Sequence, residues 1–188
     1  AATVDTSNIL EHLRARATEG QVIEQKGDLS AGRKLAALQF EETYFTPYIA
    51  HAATETHSAL AQVVGEEATV WISTQSPFGM QESIARALNL PPEKVRVQTP
   101  FVGGGFGGKS QGRQALEAAR LSKLAGAPVQ VAWTREEEFF YDTFRPAAFV
   151  QISSGLDGNG RIVFWDYQAH FGGDRSSQNF YAVPHFRT

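Results

Sequence analysis

The chain has 188 residues, with 17 Lys and Arg against 20 Asp and Glu and a formal net charge of −3. With 42% hydrophobic and 20% charged residues it has the composition of a folded globular protein, and its acidic balance without any basic run argues against nucleic-acid binding. No apolar stretch is long enough to span a bilayer, and the absence of Cys removes disulfides, thiolate zinc sites, iron–sulfur ligation and a Cys nucleophile. The opening residues AATVDTSN have neither the basic nor the apolar segment of a signal peptide.

In chain order, Ser7 is placed to cap a helix over residues 8–17, with Ile9, Leu10 and Leu13 on one side and Gly20 as its stop. Residues 21–25 read as a short strand. Residues 37–45, rich in β-formers and closed by Pro47, read as a longer one. Residues 61–64 and 68–74 form a pair of strands around the turn at 65–67. Pro77 suits the first position of a helix whose apolar side carries Met80, Ile84, Ala87 and Leu88, and Pro91 and Pro92 stop it. A strand over 95–99 leads into the glycine loop at 103–108, and a helix over 113–124 comes next, ending at Gly126. Its Ala115, Ala118, Ala119 and Ser122 make a small-residue face able to lie close on a sheet. A strand over 129–133 precedes an acidic turn at 136–138. Residues 149–153 and 162–167 then flank Asp157-Gly-Asn-Gly160, which has the turn chemistry of a hairpin. Strands and helices alternate without strict βαβ spacing, which points to α+β or mixed α/β, and of these an α+β fold of mixed β-sheets flanked by helices is expected. No linker composition marks an internal boundary within residues 1–188.

The glycine loop, VGGGFGGKS at 102–110, carries the chemistry. Between a predicted strand and a predicted helix, backbone N–H groups and a helix N-terminus favour an anion, and glycines let the backbone approach a ligand closely. The letters fit the P-loop pattern G-x-x-x-x-G-K-[ST] through Gly103, Gly108, Lys109 and Ser110. Gly112, however, falls where the phosphate-binding helix should already run, at a cost of about 1 kcal/mol relative to Ala. They also fit G-x-G-x-x-G through Gly103, Gly105 and Gly108, with Arg135 and not an acid after the next strand, a pattern that leans towards NADP. A nucleotide-binding domain cradling ATP or NADP phosphates is therefore one reading. A ligand-free turn is another, although five glycines in six positions carry an entropic cost that a plain turn does not need.

Strand, VGGGFGGK and Ala-rich helix together resemble the molybdenum-binding large subunit of the xanthine dehydrogenase/aldehyde oxidase family, in particular its isoquinoline 1-oxidoreductase and bacterial aldehyde dehydrogenase type. The resemblance runs from residue 41 to the end. It takes in STQSPFGMQESIARALNLPPEKVRVQTPFVGGGFGGKS at 73–110, a Y-x-x-P-x-x-A-H-x-x-x-E segment in YFTPYIAHAATETHSALAQV at 44–63, and the GLDGNGRI hairpin. It implies an oxidoreductase that hydroxylates an aldehyde or an N-heterocycle with water as the oxygen source. The implied cofactor is molybdenum–molybdopterin, the cytosine dinucleotide form included, and the iron–sulfur clusters belong to a partner subunit or domain.

By the same resemblance, Gln75 stands at the glutamine whose amide hydrogen-bonds a ligand oxygen on molybdenum, and Phe106 at the residue whose backbone N–H lies near another metal ligand. Gly104, Gly105 and Gly107 match the loop that wraps pterin and metal. An amide and a backbone N–H are the neutral donors such a centre needs. Ser110 stands where xanthine-oxidising members carry a substrate-binding Glu, which points away from purines. The family's catalytic glutamate lies in a motif far beyond this segment. No catalytic residue is assigned here, and residues 1–188 read as a fragment of a molybdopterin-binding domain, inactive alone. A scaffold or interface module is the remaining alternative.

Other clusters have plainer readings. His51, Glu55 and His57 share a short stretch, but the second histidine falls off the helical face of the first pair, so hydrogen bonding is expected over metal binding. Glu41, Glu42 and the acids at 136–138 are expected on a solvated face. Phe139, Phe140, Tyr141 and Phe144 are expected in the core, and Trp71, Trp133 and Trp165 are expected to pack internally. No G-x-S-x-G supports serine hydrolysis.

Overall fold

The computed structural model describes residues 4–175 and 177–188. The first stretch of chain forms α1 (Ile9–Arg14), β1 (Gln25–Lys26), α2 (Leu29–Leu35), β2 (Leu38–Thr46) and β3 (Ile49–Ala50). The middle stretch forms β4 (Ser58–Val64), β5 (Glu67–Ile72), α3 (Pro77–Leu88), β6 (Val95–Gln98), α4 (Arg113–Ala125), β7 (Val129–Ala132) and α5 (Arg135–Tyr141). The last forms β8 (Phe144–Arg145), β9 (Ala148–Leu156), β10 (Ile162–His170) and β11 (His185–Arg187). Two compact units result, one of Ala1–Ile49 with Arg145–Thr188 and one of Ala50–Phe144. Neither crossing between them carries the Gly, Ser and Pro composition that would have marked it in the sequence.

The first unit is a five-stranded sheet in the order β1-β11-β10-β9-β2. β9 and β10 form the expected hairpin, β2 runs antiparallel along the whole of β9, and β11 joins β10 in parallel. Asp28 caps α2 by accepting the Ala31 N–H at 2.7 Å. The helix lies close because Gly32 and, on β9, Gly155 leave room for the fully buried Phe164: a Cβ at either would stand 2.6 Å or 2.5 Å from that side chain.

The second unit is a four-stranded sheet in the order β6-β5-β4-β7. β4 and β5 alternate strictly, turning Ala59, Ala61, Val63, Ala68, Val70 and Ile72 inwards. α3 begins with Pro77 at its first turn, ends in left-handed Asn89, and covers that face with Met80, Ile84, Ala85 and Leu88. α4 lays its small-residue face beside it, with Ala115, Ala118, Ala119 and Ser122 all buried. The Ser122 hydroxyl accepts the Val63 N–H at 3.0 Å and donates to the Ala127 carbonyl at 2.8 Å, so helix and sheet are also joined by hydrogen bonds.

The α+β expectation is borne out, with local corrections. The first helix stops at Arg14, well short of Gly20, and Ser7 does not cap it; its hydroxyl donates to Asp5 instead. The strand expected at 21–25 shrinks to Gln25–Lys26, and α2 has no counterpart among the elements expected from the sequence. The acidic turn at 136–138 is helix α5, started by a capping box in which Thr134 and Glu137 satisfy each other's backbone N–H groups. No helix among the described residues is long and apolar enough to cross a membrane.

Candidate functional site

In the second unit β5 and β6 are parallel neighbours, so the chain leaving each emerges at the same edge of the sheet. Ligands of α/β sheets bind at such carboxyl ends. β5 runs out into Ser73-Thr74-Gln75, and β6 runs out into the glycine loop. Three hydrogen bonds tie them: the Thr74 hydroxyl and the Gln75 N–H donate to the Lys109 carbonyl at 2.9 Å and 3.1 Å, and the Gly107 N–H donates to Gln75 Oε1 at 3.0 Å. Spending the amide oxygen on the loop leaves Gln75 Nε2, on an exposed residue, with no protein acceptor among the described residues. The Phe106 N–H likewise meets none, and Phe106 sits at φ +53° and is 74% exposed.

The loop is held at both ends by one carboxylate. Glu55 Oε2 accepts the Gly103 N–H at 2.7 Å, the Ser73 hydroxyl at 2.6 Å and Lys109 Nζ at 2.6 Å, while the Glu55 N–H donates to the Gly103 carbonyl at 3.2 Å. Burial pushes the Glu55 carboxyl up, but hydrogen bonds from Lys109, Ser73 and Gly103 together with the Lys109 charge outweigh it and hold the group below the usual carboxylate range. The glycines make this closeness feasible. A Cβ would stand 2.5 Å from Glu55 Cβ at position 103, 2.5 Å from Gln75 Oε1 at 105 and 2.6 Å from Asp142 Oδ2 at 108, while Gly104 and Gly107 take φ +95° and +111°.

These facts give the nucleotide readings no support. A P-loop lysine must reach phosphates, whereas the Lys109 side chain is fully buried and committed to Glu55. Between loop and helix a short 3-10 turn, Gly108–Ser110, intervenes, so α4 starts only after Gly112 and its N-terminus is not offered by the loop itself.

Behind the loop lies a cluster that the sequence motifs mostly do not mark. His57 Nδ1 pairs with Glu138 Oε1 at 2.8 Å, His51 Nδ1 with Asp142 Oδ2 at 3.1 Å, and Arg135 with Glu138. His51 and His57 have hydrogen-bonding roles, as expected, and Glu55 serves elsewhere. Among the described residues no group of three or more His, Cys, Asp or Glu is placed to hold a metal ion. The acids at 136–138 do not all face solvent: Glu138 is buried, drawn in by His57 and Arg135. Its signal was the capping box, which fixes α5 and turns every fourth residue the same way. Phe139, Phe140 and Tyr141 leave the expected core for the surface, because Glu138 takes the inner face of this short helix against His57; of the three, Tyr141 still meets Trp133, with ring centroids 5.6 Å apart. Trp133 is buried as expected, and Trp71 and Trp165 are half-buried.

A cavity of about 630 Å³ in the first unit, beside Tyr167, His170 and Phe171, carries none of the motif residues, and its Arg187 is engaged by Asp166 at 3.0 Å and 2.8 Å.

A profile described as the molybdopterin cofactor-binding domain matches residues 14–184. The aldehyde oxidoreductase molybdenum-binding subunit PaoC of Escherichia coli K12 is 34% identical over 147 residues, covering 78% of this chain and 20% of that protein. Among solved structures, quinoline 2-oxidoreductase from Pseudomonas putida 86 superposes with a TM-score of 0.70 at 24% identity, covering 81% of this chain and 20% of that one. The aldehyde oxidoreductase from Desulfovibrio gigas does so at 0.78 and 18%, covering 89% and 20%. The chain thus spans about one fifth of the length of the relatives it matches.

Proposed function

Because the chain belongs to the molybdopterin cofactor-binding domain family, we propose that Gln75, Phe106 and the glycines at 104, 105 and 107 cradle a molybdenum–molybdopterin group within the large subunit of an oxidoreductase. The observation that carries this reading is the 3.0 Å hydrogen bond from the Gly107 N–H to Gln75 Oε1, which fixes the amide by its oxygen and reserves Nε2 as a donor. With the Phe106 N–H it makes a neutral donor pair, suited to the oxygen ligands of a metal centre and not competing with the metal for ligands. The only cation in the loop, Lys109, is neutralised by Glu55, so the cradle acts through dipoles. The donor set therefore fits the group.

When bound, the group supplies the redox chemistry, an oxidative hydroxylation that takes its oxygen from water and removes an electron pair. This chain binds and orients the group and contributes no base. With no Cys in these 188 residues to ligate them, the iron–sulfur clusters that would take up the electrons would be held by a partner subunit or domain. The substrate is an aldehyde or a non-purine N-heterocycle: Ser110, an exposed residue with a short neutral side chain, replaces the Glu that purine oxidation would use. The cytosine dinucleotide form of the pterin belongs to the same reading, and residues 1–188 alone are expected to turn nothing over.

Molybdenum per mole of the full-length subunit, purified with its partners, is expected to be near stoichiometric. Gln75→Ala is expected to lower turnover about a hundredfold, the scale of losing one preorganised donor, while keeping the fold. Well-folded protein free of molybdenum, or a Gln75→Ala variant with undiminished turnover, overturns the reading.

A further inference from the structure

We propose that the cluster Arg135–Glu138–His57–Asp142–His51, buried except at Arg135, is a positioning device for the glycine loop, setting the Gly107–Gly108 backbone from behind and through it the direction of the Gln75 amide. The proposal rests on the cofactor reading for its purpose, but its geometry stands apart from it. The side chains of His57, Glu138, Asp142 and His51 are only 5%, 2%, 8% and 12% exposed. Groups of this kind are costly to bury unless they are paired, and here they form two hydrogen-bonded sets, Arg135–Glu138–His57 and Asp142–His51, whose nearest approach is between His57 and Asp142. Arg135 bonds Glu138, Glu138 bonds His57 at 2.8 Å, His57 Nε2 lies 3.8 Å from Asp142 Oδ1, and Asp142 Oδ2 bonds His51 at 3.1 Å. The cavity beside His57 and Asp142 measures about 10 Å³, room for no more than about one water.

Its ends touch both supports of the loop. At one end Arg135 donates to the Ala53 and Thr54 carbonyls at 2.6 Å and 3.2 Å, immediately before Glu55, whose carboxylate holds Gly103 and Lys109. At the other, Gly108 rests on the Asp142–His51 pair so closely that a Cβ would stand 2.6 Å from Asp142 Oδ2 and 2.8 Å from His51 Nδ1. The residue before it, Gly107, is the donor to Gln75 Oε1. A shift of Asp142 therefore reaches Gln75 through one peptide, and neither Asp142 nor His51 needs to touch the cofactor.

The test is Asp142→Asn in the full-length subunit with its native partners, which keeps the shape and removes the charge that binds His51. The expected result is amide exchange about tenfold faster in the peptide carrying residues 103–108, the scale of one charge-assisted hydrogen bond, with exchange in β4 and α4 unchanged. In the loaded protein the Mo(V) electron paramagnetic resonance signal is expected to change shape, which mere loss of stability would not cause. His51→Asn, whose amide nitrogen stands where Nδ1 does and keeps a donor towards Asp142, should restore most of the protection that His51→Ala removes, and this pair decides the question if Asp142→Asn does not fold. Unchanged loop exchange with an unchanged signal overturns the proposal. Wild-type protein without molybdenum overturns only the cofactor reading, since the exchange experiment still tests the positioning.

Discussion

Two glycine-rich segments, 103–108 and 157–160, sit in contrasting surroundings. At the hairpin, Asp157 Oδ1 accepts the Asn159 and Arg161 N–H groups at 2.8 Å and 2.9 Å, and a Cβ added to Gly158 or Gly160 would meet nothing within 4 Å. Everything that shapes the turn is contained in the turn, with Gly160 supplying φ +77°. In the loop, added Cβ atoms at 103, 105 and 108 collide with Glu55, Gln75 and Asp142, residues distant in sequence. Glycine answers local dihedral demand in the first case and tertiary approach in the second. The hairpin therefore tolerates a side chain at Gly158, and the loop tolerates none at 103, 105 or 108.

The contrast breaks most severely at Glu55. Glu55→Ala strands the fully buried Lys109 ammonium with the Ser73 hydroxyl at 3.3 Å as its remaining side-chain partner. The expected cost is about 3 kcal/mol, the lower end for breaking a buried pair because the Glu55 side chain is 33% exposed and partly screened. The denaturant midpoint of the intact subunit measures it, and a cost below about 1 kcal/mol, the scale of an exposed ion pair, would show that the loop is not held by this clamp.

Gly103→Ala comes next. Its Cβ meets Glu55 Cβ, an atom that cannot swing away, so overpacking of about 2 kcal/mol is expected. Gly105→Ala presses only on the far end of Gln75, which can rotate; its stability cost is smaller, but it breaks the Gly107–Gln75 hydrogen bond. Molybdenum content and melting temperature should accordingly part ways, with Gly103→Ala lowering both and Gly105→Ala chiefly the former. Equal effects on both would mean that Gln75 has no role beyond packing.

The clamp also has a pH signature. The Glu55 carboxyl ionises more readily in the folded chain than its ordinary value of 4.5, so its contribution to stability is fully present above that value and is lost as the pH falls through the lowered one. The stability gap between wild type and Glu55→Gln should be wide at neutral pH and close progressively in acid below 4.5. A gap that widens in acid would reverse the assigned direction.

How much of this was legible in the sequence obeys the same division between local and tertiary demand. α3 and α4 were readable because Pro77, the small-residue face and Gly126 are local signals. The hairpin was readable for the same reason. Lys109 was not: as letters it completes a phosphate-binding pattern, and only the fold turns it inwards onto Glu55, a partner met 54 positions earlier. Glu138 was hidden in a run of three acids of which one faces inwards, and Asp142 has no motif at all. The pairing of Gln75 with the loop came through resemblance. Its physical cause, the parallel alignment of β5 with β6, is a tertiary fact.

The smallest expected effect tests the contrast from its tolerant side. Gly158 has open space where its Cβ would go and, unlike Gly160, no positive φ, so Ala fits there without strain. Replacing glycine at a compatible position also narrows the unfolded ensemble, which favours the folded chain by about 0.5 kcal/mol. Gly158→Ala should therefore be neutral or slightly stabilising in the same denaturant titration that shows Gly103→Ala to be costly. The turn does not depend on this residue, because the Asp157 carboxylate and the N–H groups of Asn159 and Arg161 remain in place. A loss of more than about 1 kcal/mol, beyond the usual range of surface substitutions, would mean that the hairpin tip is packed against something, and the two glycine segments would then obey one rule instead of two.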